Sequence, residues 1–577
     1  MNRRAFLRFL GAGALSARAP RGAAGAAVSV FDTFTPIRPS REDTLVVPPG
    51  FRWNPVMLWG DPVRGDDRFG YNADFTAFLP LPAETEGLLW VNHEFVSLKI
   101  PSSGNAGTWA QTFPLLMGRA PTVDDMRHDV GASVLHVRQH GGRWQVVDGS
   151  RYNRRITAGA TERVTADGPA VADVFERHDV DGLRAVIQGT HSNCGGGRTP
   201  WGTVLSCEEN FHFWVPEPVD EAGRGTVGGR FRALGSKYGW VMEADPYTPG
   251  SAPVKHTALG RFRHENVGLR ARDGGRVACY MGEDRAAGHV WKFVSRERYR
   301  AGDAHRTGNR RLLESGTLFV ARFSRDGTGR WIPLGSDTPL APNGGPAPAP
   351  PAGATTLGQV YASHGAILVD AFRAANLAGG TPTGRPEDLE VHPWTGAVYI
   401  AFTGFVSLSD ALFSTRLGEI WRIDEDGGDA EAPTFRWSRF IASGGVPGQG
   451  GFAQPDNLAF DAGGNLWVCS DMSAGALNNE AMPEGAYGNN GLFVISTDSG
   501  RRDAGRPRQF ASAPCEAELA GPSFGPGERT IFISVQNPGE RFGVRGIGGV
   551  TAPRGSNFPS GSPGAPPRPG VVAITPA

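Results

Sequence analysis

Pro455-Asp456-Asn457-Leu458-Ala459-Phe460, a turn at Ala462-Gly463-Gly464-Asn465, and Leu466-Trp467-Val468-Cys469-Ser470-Asp471 form the stretch that decides the fold. An acid opens a short strand, glycines turn the chain, and a continuous apolar run closes on a second acid. That is a hairpin whose second strand is buried on both faces. The pattern recurs. Pro386-Glu387-Asp388-Leu389-Glu390-Val391 turns at Trp394-Thr395-Gly396 into Ala397 to Thr403. His264-Glu265-Asn266-Val267 turns at Asp273-Gly274-Gly275 into Val277 to Met281, then Gly282-Glu283-Asp284. Ser192-Asn193-Cys194 runs through three glycines and Pro200-Trp201-Gly202 into Val204 to Glu209. Weaker copies span Asn72 to Glu94 and Glu518 to Asn537. Six hairpins with long, variable insertions (99–190 and 211–258 among them) predict an all-β chain, a six-bladed β-propeller with large loop insertions and one inner hairpin per blade. The competing arrangement is a pair of unrelated β-domains.

Composition agrees with many short strands. Gly (81) and Pro (45) exceed a fifth of the 577 residues and follow no collagen period. Charged residues at 20% and apolar residues at 40% exclude a disordered chain and a membrane bundle. Zero net charge argues against a nucleic-acid footprint. At the N-terminus, Arg3-Arg4 precede the short apolar run Ala5 to Leu15 and small residues through Ala27. This describes a removable twin-arginine export signal over 1–27, too short to span a bilayer. The expected mature chain, 28–577, is one propeller domain with a Pro/Gly-rich linker near 341–353. It is periplasmic or secreted, monomeric, handled by the twin-arginine export machinery, and without a transmembrane segment.

An antiparallel hairpin returns its two ends to one place. Glu265 is therefore expected beside Glu283 and Asp284, Cys194 beside Glu208 and Glu209, Asp456 beside Asp471, and Glu387 beside Thr403. If the hairpins line one channel, these acids converge at its mouth. Such a ring cannot stay ionised unaided, and bound cations relieve the repulsion. Dense oxygen ligands suit calcium or high-valent iron, and the Cys194 thiolate adds a softer donor. Cys207, Cys279 and Cys469 lie inside apolar runs and read as buried small hydrophobes. Arg385 stands at the same mouth, placed to grip phosphate oxygens bidentately or to pair with the acids. His191 and His264 either orient a ligand or pack. Asn92-His93-Glu94 is a weaker site of the same type.

The ordered set of motifs resembles the PhoX family of bacterial alkaline phosphatases. Thr190-His191-Ser192-Asn193-Cys194-Gly195-Gly196-Gly197, Ser206-Cys207-Glu208-Glu209-Asn210 and Gly260-Arg261-Phe262-Arg263-His264-Glu265 carry it. So do Tyr280-Met281-Gly282-Glu283-Asp284, Arg385-Pro386-Glu387-Asp388, Pro455-Asp456-Asn457-Leu458 and Val535 to Glu540. The resemblance covers roughly 45–545. It implies a six-bladed propeller with iron (Fe3+) and calcium, hydrolysing phosphate monoesters outside the cytoplasm. Metal ligands carried over are Cys194, Glu209, Glu265 and Glu387, with Glu208, Asp284 and Asp388. Arg385, Glu387 and Cys194 are the expected catalytic residues; Arg385, Asn193 and His264 are expected to face substrate. Three departures stand out: Glu283-Asp284 where the family shows two Asp, Asn537 where it shows His, and Gly404-Phe405-Val406 where it runs through Asn-rich residues. The alternatives are a calcium-dependent propeller hydrolase, phytase-like or a lactonase, and a non-catalytic metal-binding propeller.

Overall fold

The computed structural model describes residues 31, 33–97, 109–341, 348–404, 415–551 and 554–577. The leader read at 1–27 lies outside them, as do 342–347 of the Pro/Gly-rich linker. The chain is all-β as expected, with short helices in the insertions, among them His364–Val369 and Ala371–Ala378. No helix among the described residues is long and apolar enough to cross a membrane.

All six hairpins form. Their first and second strands are Ala73–Pro80 with Glu86–His93, Asn193–Arg198 with Val204–Glu208, Gly268–Arg270 with Arg276–Gly282, Pro386–Val391 with Val398–Phe402, Pro455–Phe460 with Asn465–Ser470, and Glu518–Phe524 with Ile531–Gln536. The described residues fall into two compact units, Ala158–Ile441 and Ala442–Ala577 with those before Ala158.

The first unit contains a six-stranded sheet ending in the Cys194 hairpin, and a nine-stranded sheet. The nine-stranded sheet bends back on itself. The Asn266 side chain, just before its first strand, bonds the Leu389 backbone in its last, receiving the N–H at 2.9 Å and donating to the carbonyl at 3.1 Å. Leu389, Ile400, Trp421, Tyr280 and Trp331 fill the space between. Truncating one such aromatic to Ala costs about 3–5 kcal/mol. In the second unit, the strand Phe51–Leu58 pairs antiparallel with the last strand, Gly570–Pro576, at the edge of the Glu518 sheet. Early and late parts of the chain are thereby sewn into one sheet over Trp467, Phe510, Ile533 and Ile574. The continuous apolar runs become strands buried throughout, as at Asn465–Ser470. Cys207, Cys279 and Cys469 are fully buried there. Burial pushes the Cys207 and Cys279 thiols up, keeping them inert.

Candidate metal centre

Four hairpins share a local device that aims one side chain. A residue in the left-handed region opens each: Asn72 (φ 48°), Ser192 (58°), Arg385 (55°) and Gln454 (48°). The next residue pairs across the ladder. Then two residues face one: Asp74-Phe75 against Asn92, Cys194-Gly195 against Cys207, Glu387-Asp388 against Ala401, and Asp456-Asn457 against Cys469. A bulge leaves its extra residue unpaired and re-aims a side chain. Asp74, Cys194, Glu387 and Asp456 therefore occupy one structural position. Gly195 allows this closely: a Cβ there would lie 2.2 Å from the Glu265 carbonyl oxygen.

In the first unit these residues meet the hairpin of Glu265, whose register also slips by one residue between the His264–Glu283 bridge and the Gly268–Tyr280 pair. Its ends are joined by the Glu265 N–H to the Gly282 carbonyl (3.1 Å) and the Asp284 N–H to the Arg263 carbonyl (3.2 Å). The Cys194 Sγ lies 3.1 Å from Glu265 Oε1. Ligand atoms of Cys194, Glu209 and Glu265 lie within 4.8 Å of one another, and so do those of Glu265, Asp284 and Glu387. Glu265 links the two groups. All but Asp284 are buried. Arg385 clasps Asp284 with two hydrogen bonds (2.8 and 2.7 Å) and reaches Glu387 at 3.1 Å. Holding an arginine at φ 55° costs on the order of 1–3 kcal/mol, the kind of strain concentrated at functional sites. The Thr403 hydroxyl donates to Glu387, and the Asn210 amide to Glu209 (2.7 Å).

The pairings read from hairpin geometry hold for Glu265 with Asp284, Cys194 with Glu209, and Glu387 with Thr403. Several assigned roles do not follow. Glu208 does not join the cluster. Its carboxylate turns to Lys255 (2.7 Å) and accepts from the Thr190 hydroxyl and from the N–H groups of Gly239 and Trp240. Successive strand residues face opposite ways, so Glu208 and Glu209 cannot both enter. Asn193 is set apart from Cys194 by the same rule. Its amide is spent inside the hairpin on Thr190 (3.0 Å) and Ser206 (2.8 Å). Asp388, the second residue of its bulge, is buried but outside both groups. His264 packs on Phe262 and holds the Gly260 carbonyl with Nε2. Burial drives its pKa down to about 3, so it is a neutral ring whose buried Nδ1 keeps a bare lone pair. His191 stacks on Tyr238.

The second unit gathers its own acids. Glu518, in a hairpin whose register slips between Ala520 and Ser523, is pushed well above the usual carboxylate range by burial and by Asp471, Asp456 and Asp74. Gln536 donates to Asp74 (2.6 Å), and Asn72 donates to Glu94 (3.1 Å) and Gln536 (2.9 Å). Asp74 escaped the sequence reading. Its signal is the spacing, two residues after the opening residue, shared with Cys194, Glu387 and Asp456.

The family described as alkaline phosphatase PhoX matches residues 32–539. The chain belongs to this family. A solved structure of Pseudomonas fluorescens PhoX in complex with vanadate, a transition-state analogue, is 28% identical with a TM-score of 0.76, covering 94% of this chain and 98% of that one. A solved glycosyl hydrolase from Bacteroides ovatus is 10% identical with a TM-score of 0.32, covering 82% of this chain and 96% of that one. No curated protein sequence matches. As a PhoX family member the chain is a metal-dependent phosphoric monoester hydrolase.

Proposed function

We propose that the chain around Cys194 and Glu265 holds a mixed iron and calcium centre at which phosphate monoesters are hydrolysed. The carrying observation is the buried thiol within 3.1 Å of a carboxylate that also belongs to an all-oxygen group. A thiol and four carboxylates packed this closely repel once ionised, and cations among them relieve it. The donor set fits the metals. Cys194 with Glu209 and Glu265 suits Fe3+, and Glu265 with Asp284 and Glu387 suits calcium. Asp74, Glu94, Asp456, Asp471 and Glu518 extend the oxygen-only supply within the second unit. A purely calcium-dependent hydrolase has no need of the thiol.

Bound there, the metals supply Lewis acidity toward the phosphoryl oxygens. The protein supplies position and charge. Cys194 and Glu265 fix the bed, and Thr403 and Arg385 orient Glu387. Once a cation satisfies Asp284 and Glu387, the Arg385 donors turn to phosphate oxygens, where a planar fork fits best. Burial keeps water from screening these contacts. The setting we propose is a monomeric six-bladed propeller over 28–577, exported by the twin-arginine route after a 1–27 leader to the periplasm or beyond. Six hairpins and a family relative matching 94% of the chain support it.

The test is metal analysis of protein purified after export, with p-nitrophenyl phosphate turnover before and after chelation. Iron together with calcium, and turnover that chelation abolishes, is the expected result. Calcium without iron, and no phosphate release, would refute the reading.

A further inference from the structure

Two arginines beside the centre have no part in the scheme above. Arg263 lies two residues before Glu265, and Arg285 directly follows Asp284. The bonded hairpin ends bring both to the same edge of the cluster, where Glu217 receives them. Arg263 donates to both Glu217 oxygens, at 3.2 and 2.7 Å. Burial works against ionisation of Glu217, but Arg263 and Arg285 outweigh it and hold its pKa down at about 2. Arg263 is thus paired with a carboxylate in a two-point fork.

Arg285 is not. Among the described residues it donates one hydrogen bond, at 3.2 Å to Glu217 Oε1. Its other carboxylate neighbour, Glu283 Oε1, is 3.8 Å away, beyond hydrogen-bond range. The guanidinium lies over the Phe372 ring, 3.7 Å from its centroid. A guanidinium carries five N–H donors, so most of those on Arg285 lack a protein acceptor. Its side chain is 22% exposed, so solvent reaches it. Stacked on a ring and braced at one corner, it is held in place with its fork unfilled. A planar anion completes that geometry. The neighbouring cation, Arg385, is assigned above to the phosphate that is transferred, which leaves Arg285 for a second group.

We propose that Arg285, braced by Glu217 and stacked on Phe372, is a specificity-determining residue that receives a second anionic group, a carboxylate or a further phosphate, on the alcohol portion of the phosphate ester. This rests on the phosphatase reading of the adjacent centre. Esters with a charged alcohol portion then gain a contact that neutral ones lack, expressed in KM.

Matched substrates test this. Wild type, Arg285→Lys, Arg285→Ala and Phe372→Leu are assayed on 3-phosphoglycerate against glycerol 3-phosphate, and on fructose 1,6-bisphosphate against fructose 6-phosphate. The wild type should prefer the doubly anionic member of at least one pair by about tenfold in kcat/KM, and which pair responds identifies the group. Arg285→Ala should bring that ratio to about one through KM. Arg285→Lys should recover part of it, and Phe372→Leu should fall between. No wild-type preference, or a preference unchanged in Arg285→Ala, would overturn the proposal, as would equal losses on both members of a pair. Failure of the wild type to hydrolyse any of the four esters would refute the phosphatase reading instead.

Discussion

Each compact unit contains three of the hairpins, and in each unit one of them contributes a central glutamate, Glu265 or Glu518. The bulged positions differ. Cys194 and Glu387 fill them in the first unit, Asp74 and Asp456 in the second. The surroundings differ more. In the first unit the acids are met by cations: Arg385 clasps Asp284 and Glu387, and Lys255 neutralises Glu208. In the second they are met by amides from Gln536 and Asn72, and Glu518 is driven toward its protonated form. One backbone device thus serves two electrostatic designs. The first fixes charged ligands around a thiol. The second stores repulsion that a hard cation or a proton must relieve.

Variants at equivalent positions should separate the designs. The largest loss is expected from Glu265→Gln, which breaks the link between the two ligand groups. kcat/KM for p-nitrophenyl phosphate should fall by about 10³-fold or more, with iron and calcium both reduced by metal analysis. Arg385→Ala should cost about 10²-fold, mostly in KM, since it removes a charge-assisted fork from substrate. An effect confined to thermal stability would place Arg385 among the structural ion pairs.

A third variant probes cation support away from the centre. Burial would lower the His256 pKa, but Asp167 and Glu243 outweigh it and hold it at about 10. The folded-state pKa is raised, so this stabilisation is fully present below about pH 6.5 and is lost as pH rises through 10. Between these limits stability should decline by about 1.4 kcal/mol per pH unit from this group alone. His256→Gln should flatten that slope in denaturant titrations, and an unchanged slope would mean the histidine is neutral. The smallest effect is expected in the second unit. Glu518→Gln removes repulsion, so it should raise the metal-free Tm by the equivalent of about 1–2 kcal/mol and shrink the rise that calcium produces. A collapse of iron content in Glu518→Gln would erase the distinction between the units.

Much of this was legible in the sequence. Apolar runs closing on acids located all six hairpins, because a strand buried on both faces has no polar alternation to confuse with a helix. The convergence of Cys194, Glu209, Glu265, Asp284 and Glu387 followed from hairpins returning on themselves. What did not follow was direction. Glu208 and Asn193 are neighbours of true cluster members in sequence but face the opposite side of the strand, and only register decides which of two adjacent residues enters. The bulges were hidden as well, since they depend on one residue adopting a left-handed backbone. Ser192, Arg385 and Gln454 do so without the glycine that would announce it. Arg285 is not legible in the sequence because its significance lies in Glu217 and Phe372, far apart in the chain.

Everything proposed for the centre depends on the Cys194 thiol being a metal ligand. Iron stoichiometry of exported Cys194→Ser, measured alongside wild type with circular dichroism confirming the fold, tests it most directly. The account predicts that the variant folds, loses most of its iron and with it most of its turnover. A folded Cys194→Ser protein with undiminished iron would contradict it.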